Sequence, residues 1–446
     1  MSNLRVLLVE PSYKCKYPPL GLMKISAFHK QRGDEVVFVK GLNIEKKKME
    51  WDRIYISTIF SFYWDITVKT INYYEYSVIS PKNLYIGGPM ATIMAEELKL
   101  ATGFQPIKGM LNEKGKLGLE GDHLIDSIVP DYDMLKQVDH KYITDDAYFS
   151  YITRGCIRKC SFCAVRIIEP VYQDYIPISK QIKTIEKEYG QKKDLLLLDN
   201  NVLASTKFEK IIDEIKELGF SKDAMLKGKH RWVDFNQGVD LRKLSRKKMK
   251  LLSEIAIRPL RIAFDDIKLK EQYIKVIELA AEFKILNLSN YVLYNYDDTP
   301  KDFYDRLKIN VELNERLGTK IFSFPMKYIP VKDKDRKYIG KHWNPRYLRG
   351  IQCILNATHG VVSPKKSFFE AAFGKNYSEF VKIILMPDDF IMYRKSRKKR
   401  EVEKWHSLFA SLTPSQKTVC KKIIMQNNFS YISKYGVVND ILSFYR

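Results

Sequence analysis

No stretch of this 446-residue chain approaches the ~20 consecutive apolar residues that a membrane-spanning helix needs, so no membrane span is expected. The opening run Leu4–Val9 is too short for a signal core and reads as a buried strand, which points to a cytoplasmic location. Cysteine is scarce, six in all, with three crowded at Cys156, Cys160 and Cys163. That distribution excludes a disulfide framework and favours a reducing compartment with a metal or redox site. Acidic residues are outnumbered, 53 Asp and Glu against 76 Lys and Arg, for a formal charge of +23. Such an excess suits a polyanionic partner, and it equally suits a codon usage rich in Lys, Ile, Asn and Tyr. Internal repeats and low-complexity tracts are absent, and 45% hydrophobic residues exclude a wholly disordered chain.

What is there alternates. Over residues 1–110, strands at Leu4–Val9, Glu35–Val39, Arg53–Ile59 and Leu84–Ile86 alternate with helical patterns at Pro19–Gln31, Asp65–Val78 and Ala91–Leu100. This predicts an open parallel sheet with helices on both faces, a Rossmann-like domain. Its ligands would lie beyond the strands' carboxyl ends, at Glu10-Pro11-Ser12 and Gly87-Gly88-Pro89. Residues 111–147 read as a connector. Six further βα units follow over 148–330, with strands at Phe149–Thr153, Leu195–Leu198, Trp232–Phe235, Leu260–Ala263, Ile285–Tyr294 and Lys320–Phe324. They predict a partial (β/α)6 barrel of the TIM type, with chemistry at the carboxyl ends of its strands. Residues 331–446 read as a mainly helical basic region whose densest charge run is Arg394–Arg400.

The strongest chemical signal is Arg154-Gly155-Cys156-Ile157-Arg158-Lys159-Cys160-Ser161-Phe162-Cys163, directly after the first barrel strand. Three thiols at spacings of four and three on one loop can converge on one metal centre. Buried structural cysteines rarely crowd beside Arg158 and Lys159. Structural zinc and an electron-transfer ferredoxin would each want a fourth ligand, and the nearest His or Cys in sequence is His140, outside the loop. A cubane held by three cysteines leaves one iron open for chemistry.

This Cys-x3-Cys-x2-Cys pattern, with an aromatic before the third cysteine, resembles the motif of the radical S-adenosylmethionine superfamily. The resemblance covers about Tyr148 to Pro330. It implies a 4Fe–4S cluster on Cys156, Cys160 and Cys163, with Phe162 beside the adenine of S-adenosylmethionine. It further implies reductive cleavage of that cosubstrate to a 5′-deoxyadenosyl radical, with electrons from a reductant such as flavodoxin or ferredoxin. Arg154, Arg158 and Lys159 would put positive charge near the cluster and ease its reduction. Asp199 and Asn200, in Asp199-Asn200-Asn201 after the second strand, fall where related enzymes bind the amino group of S-adenosylmethionine, although the usual pattern there is Gly-Gly-Glu. Gln237 and Asp240 after the third strand are candidates for ribose hydroxyls, and Asp265 after the fourth matches an acidic position of similar enzymes. Asn295 and Asp297 after the fifth are weaker, since Asp-Asp-Thr-Pro also begins a helix.

The N-terminal sheet with Gly87-Gly88-Pro89 resembles the cobalamin-binding-like domain of one class of that superfamily. The cobalamin-ligand pattern Asp-x-His-x-x-Gly is absent, the chain reading Glu10-Pro11-Ser12-Tyr13-Lys14-Cys15, and His29 reads as a helix-face residue. Members of the class often lack that histidine, so the resemblance leaves cobalamin open. A second cluster, as in methylthiotransferases, is not expected, because Cys15, Cys353 and Cys420 match no ligand spacing and read as buried small hydrophobes. The implied reaction is methyl transfer or rearrangement at an unactivated carbon, and the charge makes RNA, a nucleotide or another anion the leading substrate class. The competing expectation is a nucleic-acid-binding protein whose cluster is structural or redox-sensing.

Overall fold

A computed structural model describes residues 3–142, 146–430 and 432–446. The chain divides into two compact units, one of Met1–Val239, Lys250–Arg258 and Ile329–Lys337, the other of Asp240–Met249, Pro259–Tyr328 and Tyr338–Arg446.

The first unit opens with β1 (Arg5–Glu10), β2 (Glu35–Lys40), β3 (Arg53–Ser57) and β4 (Leu84–Gly87), a parallel sheet in the order β2-β1-β3-β4. Val6 to Val9 have no exposed surface, as a strand covered on both faces requires. On one face Leu7, Val9, Ile54, Ile56 and Ile86 pack with Ile71 of the helix Trp64–Tyr74 and Leu98 of the helix Ala95–Thr102. The helix Leu20–Gln31 lies on the other face, where His29 bonds the hydroxyl of Tyr55 at 2.9 Å. His29 is therefore not a surface residue of its helix. It is fully buried, held by Asp34 at 2.7 Å, and burial pushes its pKa down. The helix expected over Ala91–Leu100 is two, Pro89–Ile93 and Ala95–Thr102, because Met94 leaves helical geometry at φ −120°, ψ 38°. Gly88 takes φ +106°, and a Cβ there would collide with the carbonyl of Thr58 at the end of β3, so the Gly87-Gly88 turn admits no side chain at its second position.

Residues 111–142 hold only short 3-10 turns, Asp122–Ser127 and Tyr132–Gln137, and the adjoining Ile143 to Asp145 lie outside the described residues. The unit then builds a second parallel sheet from β5 (Ala147–Ser150), β6 (Asp194–Leu197) and, beyond a hairpin, β9 (Val233–Phe235), in the order β5-β6-β9. The hairpin pairs β7 (Met225–Leu226) with β8 (Lys229–His230), a feature the sequence reading did not anticipate. Lys227 and Gly228 both take positive φ there, 49° and 76°, as a two-residue turn matched to strand twist demands.

In the second unit β10 (Leu260–Ala263), β11 (Asn287–Tyr294) and β12 (Lys320–Lys327) form a parallel sheet in chain order. All six strands expected over 148–330 thus exist, hydrogen-bonded as two sheets of three. Seven helices follow among the described residues from Pro345 to Ser443. They close over a core that includes Phe303, Trp343, Ile351, Phe380, Trp405 and Ile424. Arg346, 1% exposed, stitches this core by donating to the carbonyls of Ile384 and Met386 and pairing with Asp388 at 2.9 Å. Arg394, the first residue of the basic run, is half-buried: it donates to the carbonyls of Ala371, Ala372 and Ile391, and burial lowers its pKa to about 10. No helix among the described residues is long and apolar enough to cross a membrane.

Candidate metal centre

Cys156, Cys160 and Cys163 sit on the loop between β5 and the short helix Val165–Ile168, and all three are half-buried. The loop begins at Gly155, whose φ of +68° and close approach to the carbonyls of Val171 and Glu169 leave no room for a Cβ. An antiparallel bridge between Arg154 and Gln173 closes its neck, with reciprocal backbone bonds of 3.2 and 2.9 Å. Within the loop the amide of Cys163 donates to the carbonyl of Cys160 at 3.1 Å. The sulfur of Cys156 accepts two donors, the backbone N–H of Arg158 at 3.4 Å and the side-chain amide of Asn201 at 3.3 Å. Two N–H groups aimed at one sulfur suit a cysteine that ligates a metal cluster.

All six cysteines are thiols; Cys353 and Cys420 are buried as expected, whereas Cys15 is half-buried rather than internal. Burial pushes the thiols of Cys353 and Cys420 up to about 11 and about 12, which keeps both protonated and inert.

Glu169 anchors the loop. Its Oε2 accepts the backbone N–H of Gly155 at 2.8 Å and the side-chain amide of Asn200 at 2.9 Å, and its Oε1 pairs with Arg154 at 3.1 Å. Arg154 also pairs with Asp126 at 3.5 Å, and Asp126 pairs with Lys24 of the helix Leu20–Gln31 at 3.6 Å. A line of alternating charge therefore runs from the N-terminal sheet's helix to the end of β6. It corrects one expectation. Arg154 is 6% exposed and neutralised by two carboxylates, so it does not present its charge to the cysteines. Lys159 is exposed and Arg158 half-buried on the loop itself.

At the carboxyl end of β6, Asp199 is 1% exposed. Its Oδ1 accepts the backbone N–H groups of Ile152 and Thr153 and the hydroxyl of Thr153, tying β6 to the start of the cysteine loop. Burial raises its carboxyl to about 6, partly offset by those bonds. Its Oδ2, and Oδ1 of the equally buried Asn201, have no hydrogen-bond partner among the described residues. Two buried acceptors two residues apart, one of them on the residue whose amide bonds the Cys156 sulfur, suit a donor from outside the chain, such as an ammonium group.

The other sequence candidates are divided between the two units. Phe162 is half-buried on the cysteine loop. Gln237 is exposed beyond β9 and donates to Asn236 at 3.4 Å, while Asn236 itself donates to the hydroxyl of Tyr17 at 2.8 Å. Asp240 and Asp265 belong to the second unit. There Asp240 accepts from the backbone and side chain of Arg242, and Asp265 accepts the N–H of Leu293 at 3.2 Å with its pKa raised by burial. Asn295 bonds the carbonyls of Tyr328 and Tyr338 and the amide of Gly340, and Asp297 pairs with Lys341. Glu169 and Asn201 are the additions the sequence reading did not make. Asn201 was within reach, being third in Asp-Asn-Asn; Glu169 carries no local signal.

Among the described residues no three His, Cys, Asp or Glu side chains converge tightly enough for a single metal ion, whose ligand bonds are about 2.3 Å from sulfur. Thiolates on separate irons of a cluster need no such convergence. The donor set, three thiols on one closed loop with amide donors on Cys156, fits an iron–sulfur cluster. A cleft of about 580 Å³ lies at the carboxyl end of β1 and β2, lined by Ser12, Tyr13, Lys40, Asn43 and His140 among others. A larger one, about 1370 Å³, opens beside β4 and touches the loop's return through Arg154, Ile168 and Val171, but no cysteine lines it.

Solved structures with this arrangement of elements exist. The chain superposes on the radical S-adenosylmethionine methyltransferase TsrM from Kitasatospora setae, solved with cobalamin and a 4Fe–4S cluster bound, at TM-score 0.52 and 14% identity, over 78% of each chain. The chain shares the fold of TsrM. A second TsrM structure, with tryptophan substrate and a S-adenosylmethionine analogue, gives TM-score 0.52 and 14% identity over 78% of this chain and 76% of TsrM. The likeness agrees with the expected α/β architecture, a Rossmann-like sheet followed by further parallel βα units. No protein-family model and no curated protein matches the sequence.

Proposed function

We propose that the chain is a radical S-adenosylmethionine enzyme acting by methyl transfer or rearrangement at an unactivated carbon. The observation that carries this reading is the three-cysteine loop at the carboxyl end of β5, locked by Glu169 and hydrogen-bonded to Asp199 and Asn201 at the end of β6, each of which keeps one unpartnered buried oxygen. The fold shared with TsrM supports it. In this reading Cys156, Cys160 and Cys163 hold a 4Fe–4S cluster that, when bound, supplies the electron for reductive cleavage of S-adenosylmethionine. Asp199 and Asn201 accept hydrogen bonds from the ammonium group of the cosubstrate, with Asn200 positioned by Glu169 beside them. Phe162 lies along the adenine, Gln237 and Asp240 are the proposed contacts to the ribose hydroxyls, and Asp265 is the proposed further acidic contact. Arg154 and Glu169 hold the loop closed against water.

Cobalamin belongs to the proposal through the N-terminal sheet, whose carboxyl edge offers the cleft at Ser12, Tyr13 and His140. The cobalamin-ligand pattern Asp-x-His-x-x-Gly is absent after β1, where Glu10 stands buried, paired with Lys40 at 2.8 Å and accepting the hydroxyl of Tyr142 at 2.5 Å. The basic surface makes RNA, a nucleotide or another anion the proposed substrate class.

Iron and sulfide loading tests the reading. Anaerobically reconstituted wild type should carry about four irons per chain, the content of one cubane. Replacing any one of Cys156, Cys160 or Cys163 by alanine should abolish most of it, whereas Cys15→Ala should not. A colourless zinc protein would contradict the reading. Equilibrium dialysis against hydroxocobalamin decides the second cofactor.

A further inference from the structure

We infer that Asn201 sets the reduction potential of the cluster through its hydrogen bond to the Cys156 sulfur. The inference rests on the cluster assignment above and concerns a residue to which that assignment gives only cosubstrate contact.

Asn201 is 2% exposed, and its Nδ2 lies 3.3 Å from Cys156 Sγ, within hydrogen-bond reach for sulfur. The opposite amide orientation would set a carbonyl oxygen against sulfur lone pairs, so the donor faces the cysteine. The residue is held in place from three directions. Its own carbonyl accepts the hydroxyl of Tyr172 at 3.3 Å and the backbone N–H of Ala204 at 3.1 Å, and Asn200 just before it is fastened to Glu169. A buried backbone fixed in this way sets where the side-chain donor of Asn201 can lie when the charge changes.

The charge that changes is on the cluster. Reduction adds one electron from the external reductant and makes no bond at Asn201; the added negative charge spreads onto the ligand sulfurs. An N–H donor stabilises the more negative state more than the oxidised one, so it raises the potential. Arg154, one of the three charges expected to do this, is neutralised by Asp126 and Glu169, while Arg158 and Lys159 remain on the loop. The amide of Asn201 and the backbone N–H of Arg158 donate directly to the Cys156 sulfur.

The test is an EPR-monitored redox titration of the anaerobically reconstituted full-length chain, wild type against Asn201→Leu. Loss of a hydrogen bond to a charged acceptor predicts a reduced-to-oxidised ratio about tenfold lower at any fixed potential, a midpoint lower by about 59 mV for a one-electron couple. Iron content and the reduced-state EPR signal should match wild type. Equal midpoints in two fully loaded proteins overturn the inference. If the leucine variant does not load, Asn201→Asp, which keeps the size and removes the donor, takes its place and must also titrate lower; an unchanged midpoint there overturns the inference equally. A wild-type chain that takes up no iron and sulfide overturns the cluster reading itself, and this assignment falls with it.

Discussion

At Gly155 the backbone enters the left-handed region just before the first cysteine, hemmed in by the carbonyls of Val171 and Glu169. Gly155→Ala should therefore cost more than the about 1–2 kcal/mol of left-handed strain alone, seen as a lower urea midpoint and reduced iron uptake. Equal stability and loading would show that the loop tolerates another path. Asp199 makes a second prediction at this scale. With its carboxyl raised by burial to about 6, the folded chain keeps a proton that the unfolded chain releases near the ordinary carboxylate value. Stability from this group is thus complete below pH 4 and declines as pH rises to about 6, by about 3 kcal/mol in all. Asp199→Asn removes that decline. Its stability relative to wild type should rise between pH 4 and pH 7 in paired denaturation curves, and a pH-independent difference would contradict the account. The cysteines and Asp199 were legible because spacing and strand ends fix where such residues point. Glu169 was not, because it lies 14 residues beyond Gly155 and only the folded return of the loop brings its carboxylate back to that amide.

Between elements, the chain of Lys24, Asp126, Arg154 and Glu169 links the helix Leu20–Gln31 to the cysteine loop. Removing one partner of a buried pair strands the other, at about 3–5 kcal/mol. Glu169→Ala should lower the unfolding midpoint accordingly and reduce cluster loading, while removal of the exposed Lys108–Glu96 pair should leave both unchanged. The alternating strands of residues 4–87 were readable because apolar runs buried on both faces leave few alternatives to a parallel sheet. Harder to read were breaks without glycine or proline, such as Met94 between two helices, and the turn at Lys227-Gly228, whose flanking strands are two residues each. Local sequence is nearly neutral at such points, and tertiary packing decides.

Over the whole molecule, the charge of +23 gives the substrate proposal its testable form. Lys395, Arg397, Lys399 and Arg400 are exposed on the C-terminal region, whereas Arg394 of the same run is half-buried and bonded to backbone carbonyls, so the run is a surface only in part. If an RNA or another polyanion is bound, affinity should fall by roughly one log unit per log unit of salt for each phosphate contacted, and charge reversal at those four positions should flatten the slope. Affinity unaffected by salt would rule out a polyanionic substrate. The central claim is tested most directly by mass spectrometry of products formed when anaerobically reconstituted protein meets dithionite and S-adenosylmethionine, with Cys160→Ala alongside. The account predicts 5′-deoxyadenosine or S-adenosylhomocysteine from wild type and from wild type alone. Neither product from a chain whose cluster is fully loaded and reducible would contradict it.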